Sequence, residues 1–203
     1  MNRSIATYFP QSVYVSKNSE AEWAKQKQIE EVLSLEFETN CVGKNKSSLD
    51  SYVLERPEFK LIKDCIQKEL DIIFKDIYKQ DPERCKLKIT QSWIQLNHSN
   101  EYHNSHVHVN SFLSGVAYLD TEENDSIIFC NPQSPSRVSL MCGQRVKHPV
   151  QAGDIVIFDS LLPHSVESTD RIKPRISLAF NTWFDGEIGD KVRKTLVRSN
   201  IIV

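Results

Sequence analysis

The chain has 203 residues, 39% hydrophobic and 26% charged, with a formal net charge of −2; this is enough apolar material for a buried core, and one domain over 1–203 is expected. The near balance of charge lacks the basic excess of a protein built around phosphate contacts, so composition gives a nucleic-acid partner no support. Five cysteines, at 41, 65, 85, 130 and 142, are odd in number and form no CxxC pair, which argues against a disulfide framework or a zinc ribbon and points to a reducing, cytoplasmic setting.

In chain order, the first residues lack the apolar run of a secretory signal, and no stretch approaches the ~18 apolar residues of a membrane span. YFPQSVYV (8–15) alternates well enough for a short strand. Ser19 with Glu22 has the form of a capping box, and Trp23, Ile29, Val32 and Leu33 then give a helix with a partial apolar face. Glu38 to Ser51 is polar and turn-rich, and reads as a loop. A stronger helix begins near Pro57, where Phe59, Ile62, Ile66, Leu70, Ile73, Phe74 and Ile77 recur at three- and four-residue steps. Helical support thus falls mainly in 19–80.

After Pro82 the chain turns extended, with a β core over about 86–184. LKITQSWIQL (87–96), FLSGVAYL (112–119), SIIFCN (126–131), SRVSLMC (136–142), DIVIFD (154–159) and RISLAFNTWF (175–184) favour β-branched and aromatic residues between turn formers. Strands that follow helices in this way predict an α+β fold, an antiparallel sandwich or jelly roll buttressed by the helices.

The histidines carry the chemistry. Three of the six lie between 103 and 108. His106 and His108, two apart, would share one face of a strand, roughly 7 Å apart at about 3.3 Å per residue. Far downstream, His164 follows a buried strand, and Arg175 opens the next. A histidine there could complete a metal site, and a buried arginine fork could clamp a carboxylate. Taken alone, the HxH pair reads as two polar residues in an alternating strand, and Arg175 as the partner of an acidic neighbour. His98 and His148 read as surface or loop histidines, and Trp93 and Phe180 as core.

In that order, HVHVNSFLSGVAYL and IFDSLLPHSVESTDRIKPRISLAFN resemble the iron(II)/2-oxoglutarate-dependent oxygenase superfamily, whose fold is the double-stranded β-helix. More narrowly they are similar to a subgroup of phages and bacteria with the pattern HxHxNSxxSGVxYL…H…RISxxFN. The resemblance covers roughly 9–184. It implies a dioxygenase that hydroxylates an unidentified substrate, with Fe(II), 2-oxoglutarate and O2 as cofactor and co-substrates and succinate and CO2 as co-products; the near-neutral charge favours a small-molecule or peptide substrate over nucleic acid. The metal ligands would be His106, His108 and His164. Arg175, Ser177 and Tyr118 would bind 2-oxoglutarate, with Asn110 and Asn181 as further contacts. Gly115, inside a strand, suggests close approach of a backbone or ligand.

His108 departs from the superfamily, which usually has a carboxylate there. Asp159, Asp120 or Glu101 could supply one, or His103 could replace His108, but none shares the two-residue spacing of His106 and His108. Three neutral histidines leave iron(II) at +2, a charge that a 2-oxoglutarate dianion neutralises. Two rival readings remain: a non-catalytic jelly-roll metal-binding protein, and a cupin-like three-histidine metalloenzyme that does not use 2-oxoglutarate. Neutral imidazole ligands predict weaker metal binding below about pH 6.5. Substrate choice is expected to lie in loops 38–51, 99–105 and 131–137, and the tail DKVRKTLVRSNIIV suits a helix or an oligomer contact.

Overall fold

A computed structural model describes residues 11–18, 21–41, 43–131 and 145–202. Two antiparallel sheets form its body. The larger runs β1 (Val13–Ser16), β9 (Ile155–Asp159), β6 (Leu113–Asp120), β11 (Arg175–Ile188), β4 (Cys85–Asn97), β3 (Lys46–Ser48) and β2 (Phe37–Thr39), with β12 (Val197–Ser199) paired to β11. The smaller runs β5 (His103–His106), β10 (His164–Val166), β7 (Ser126–Cys130) and β8 (Arg145–Pro149). This is the expected jelly roll, with helices α1 (Gln26–Leu33) and α2 (Lys60–Ile72) against the larger sheet.

Both faces of the large sheet are covered, so side-chain parity sorts its residues. Leu87, Ile94 and Leu96 of β4, Ala117 and Leu119 of β6, and Ile176, Leu178 and Phe180 of β11 pack with the buried helix residues Phe59, Ile62, Ile66 and Leu70. The opposite parity faces the small sheet: Val116 and Tyr118 of β6, and Val156 and Phe158 of β9, pack against Ile127 and Phe129 of β7. That inner face also carries polar residues on the buried strands, and these line the pocket described below.

Several elements differ from expectation for tertiary reasons. The first helix is interrupted: a 3-10 turn, Glu22–Ala24, precedes α1, and no side-chain cap bond starts either. Ser19 and the 136–142 strand lie outside the described residues. Glu38 to Ser51 is not a loop throughout, because β2 and β3 form a hairpin whose Ser47 pairs with Gln95 and extends the sheet. The carboxy-terminal tail contributes strand β12, pairing with Gly186–Ile188, rather than a helix. Gly115 is approached by a side chain instead of a backbone: its cross-strand partner Phe180 lays its ring over the space a Cβ would fill. No helix of the described residues is long and apolar enough to cross a membrane.

Candidate metal centre

His106, His108 and His164 converge, with one ligand nitrogen from each lying within 4.8 Å of the others. The route differs from the two-residue strand repeat. β5 ends at His106, whose Cα pairs across the ladder with His164 of β10. His108 lies beyond the strand, and its main-chain N–H donates to Ser160 O at 2.8 Å. A cross-strand pair and an anchored loop, not one strand face, bring the rings together.

Hydrogen bonds set two of the tautomers. His106 Nδ1 is 2.8 Å from Asn104 O and His164 Nδ1 is 3.0 Å from Leu162 O. A carbonyl only accepts, so both Nδ1 atoms carry the proton and each Nε2 presents its lone pair. His108 Nε2 lies 3.2 Å from His164 Nε2, close to the ~3 Å between two nitrogens that each sit about 2.1 Å from one ion at a right angle. Burial, reinforced by His106 and His103, lowers His108 to about 4. Burial, then His106, lowers His164 to about 3 despite the bond to Leu162 O. His106 is lowered by burial as well. At neutral pH the three rings are uncharged and need release no proton to bind a cation.

The donor set fits a divalent first-row metal. No Asp or Glu lines the pocket among the described residues, and the sequence of 132–144 contains neither. The alternative carboxylates are employed elsewhere: Glu101 accepts from His98 N at 2.7 Å, and Asp159 accepts from Leu161 N at 2.8 Å in the turn after β9. Asp120 ends β6, outside the pocket lining.

The same pocket holds Arg175, Ser177 and Tyr118. Arg175 is 3% exposed. It donates from Nη1 to Ser126 O at 3.1 Å and from Nη2 to Asn97 Oδ1 at 3.2 Å, while Nε has no partner. No ion pair holds it among the described residues. Asp125, a nearby acid, is joined to Arg171 at 2.7 Å, both side chains being buried. Arg175 therefore does not serve as the partner of an acidic neighbour. Its guanidinium lies 5.9 Å from the Tyr118 ring centre, and burial pushes the Tyr118 phenol up and Arg175 down. Asn97 Nδ2 is a second buried donor without a partner. A buried cation without a direct ion pair, beside a free amide N–H, is a costly arrangement that an anionic ligand relieves.

Several pocket residues escaped sequence reasoning. Trp93 is not core: it lines the pocket and its ring lies 5.6 Å from that of His108. Gln95 and Asn97 share its strand parity, which was the available signal. Asn45, from the turn before β3, donates to Gln95 Oε1; that turn is held by a Gly43–His103 bridge and by Lys44 N donating to Tyr102 O at 2.9 Å. His103 stacks on His106 at 4.1 Å as a pocket wall. Asn110, in contrast, is an exposed left-handed turn residue (φ 60°) outside the lining. Asn181 is buried but also outside it, accepting from Ser114 Oγ at 2.8 Å. His98 is exposed and His148 lies half-buried on β8, both away from the cluster.

Residues 91–181 match the model of the family described as "Putative 2OG-Fe(II) oxygenase", a family of enzymes. No curated protein sequence matches the chain. Among solved structures, it is similar to an oxidoreductase of the 2OG-Fe(II) oxygenase family from Burkholderia pseudomallei, with 14% identity over 84% of each chain and a TM-score of 0.61. It is also similar to HygX from Streptomyces hygroscopicus, solved with nickel, 2-oxoglutarate and hygromycin B, with 10% identity over 85% of this chain and 82% of that one and a TM-score of 0.60. A Pseudomonas putida prolyl-4-hydroxylase has 13% identity over 84% and 92%, with a TM-score of 0.56. At these identities the likeness is one of fold.

Proposed function

We propose that the protein is an iron(II)- and 2-oxoglutarate-dependent dioxygenase that hydroxylates a small-molecule or peptide substrate. The observation that carries this is Arg175, buried without an acidic partner and with Nε unpaired, in the same pocket as three metal-competent imidazoles. His106, His108 and His164 would hold the ion through Nε2. Iron(II), when bound, supplies the redox chemistry that couples conversion of 2-oxoglutarate and dioxygen to succinate and carbon dioxide with hydroxylation of a C–H bond.

The chain's own part is binding, orientation and exclusion of water. Arg175 would pair with the co-substrate carboxylate remote from the metal through charge-assisted bonds. Ser177, set between Gln95 and Tyr118 across the neighbouring strands, adds a hydroxyl on the same face, and Asn97 Nδ2 offers a further donor. Phe158, 4.6 Å from the His164 ring, keeps the inner side of the cluster apolar. With no carboxylate lining the pocket among the described residues, three neutral imidazoles would leave +2 on the ion, which the dianionic co-substrate would balance. A structural arginine, as the cupin-like reading requires, has no reason to keep a buried donor unpaired.

Anaerobic titration of the iron(II)-loaded protein with 2-oxoglutarate tests the reading. A weak visible metal-to-ligand band and slow aerobic release of succinate are expected. A protein that binds iron but shows neither would refute it.

A further inference from the structure

The three imidazoles are not held alike. His106 and His164 sit in facing strands, whereas His108 lies outside any strand and its N–H is tied to Ser160 O. Ser160 is fully buried, and its hydroxyl lies 2.8 Å from both Ser111 Oγ and Ser114 Oγ. Ser114 donates to Asn181 Oδ1 at 2.8 Å, and Asn181 Nδ2 donates to Gln91 Oε1 at 3.2 Å. Ser111 donates to Leu113 O at 3.0 Å and accepts from Thr182 N at 3.2 Å, beside the β11 irregularity between Asn181 and Thr182. Three hydroxyls and an amide are thus confined where apolar side chains would pack at less cost in desolvation. They join the turn after His108, strand β6, the turn after β9, and β11 opposite the extra residue Thr90 of β4.

We propose that Ser111, Ser114, Ser160 and Asn181 are positioning residues that fix the Ser160 carbonyl and, through it, the approach of His108 to the ion. The proposal rests on the reading of His108 as a metal ligand. It gives a physical role to Ser111 and Ser114 of the NSxxSG part and to Asn181 of the FN part of the sequence pattern, none of which lines the pocket. Because a loop ligand has no ladder to hold it, the rigidity that preorganises it has to come from side chains around its one main-chain tie.

Cobalt(II) titration, followed by its visible absorption and by calorimetry, separates the two ideas. The wild-type protein should bind one cobalt with a spectrum of nitrogen ligation. Ser160→Ala, which removes the hydroxyl contacts to Ser111 and Ser114, should raise the cobalt Kd about tenfold, the scale of a net buried hydrogen bond, with an altered spectrum. Ser114→Ala should raise it by a smaller factor, and carries the test if Ser160→Ala does not fold. In a His108→Ala background, Ser160→Ala should have no further effect on cobalt affinity, whatever it does to the melting temperature. An unchanged Kd and spectrum in the folded serine variants, or an equal loss with and without His108, would overturn the positioning role while leaving the metal site standing. A wild-type protein that binds no cobalt would refute the site itself, and the proposal with it.

Discussion

Replacing Arg175 by Met separates a co-substrate clamp from a structural arginine. The change removes a buried guanidinium that makes two hydrogen bonds, to Ser126 O and Asn97 Oδ1, and no ion pair among the described residues. Two acceptors then lose a partner, at about 1–3 kcal/mol each, but an uncompensated buried charge disappears, which returns a cost of several kcal/mol. The two effects oppose, so the metal-free protein should melt within a few degrees of wild type. 2-Oxoglutarate, on the other hand, loses its charge-assisted contact, worth about 1.5–3 kcal/mol, or roughly 10- to 150-fold in Kd. The assay is anaerobic titration of iron(II)-loaded protein with 2-oxoglutarate, with iron affinity measured in parallel and expected to stay near wild type. A marked fall in melting temperature with unchanged 2-oxoglutarate affinity would refute the clamp.

His108→Ala should lower iron stoichiometry, measured after desalting, because no carboxylate of the described residues lines the pocket to replace it; full retention would remove His108 from the ligand set. Acid should destabilise the metal-free protein through the buried histidines. With His164 held to about 3 and His108 to about 4, the unfolded chain takes up protons below about pH 6.5 that the folded chain refuses. Stability then falls as pH drops from 6.5 towards 4, by up to about 1.4 kcal/mol per pH unit for each histidine. Urea midpoints at pH 7 and 5 measure the slope, which His164→Asn should flatten. For the same reason proton competition with a bound metal should set in below the pH 6.5 of a free imidazole. Gly115→Ala should cost about 1–3 kcal/mol in chemical denaturation, since its Cβ would meet the Phe180 ring, packed in the core; an unchanged midpoint would show that the ring moves freely.

Much of this architecture was legible in advance. The β-branched and aromatic residues of 87–96, 112–119, 154–159 and 175–184, set between turn formers, marked strands β4, β6, β9 and β11, because a strand packed on both faces places apolar side chains on each. The hairpin β2–β3 and strand β12 were not legible, since polar residues such as Ser47 and Arg198 become strand only by pairing with an existing sheet edge. Trp93 was misread as core because an aromatic in a strand pattern has the same signature whether it faces the core or a pocket.

The sequence by itself determined which residue types were present for the chemistry: three histidines in a spaced order, Arg175 with Ser177 on one strand parity, and no carboxylate at position 108. Only the tertiary structure decided how they meet. His106 reaches His164 through cross-strand register, His108 is delivered by a loop tied to Ser160, and Arg175 stays unneutralised because Arg171 has taken Asp125. Strand parity is a local, period-two property of the chain, whereas register, loop anchoring and the choice of ion partner arise from segments more than forty residues apart coming to share one interior.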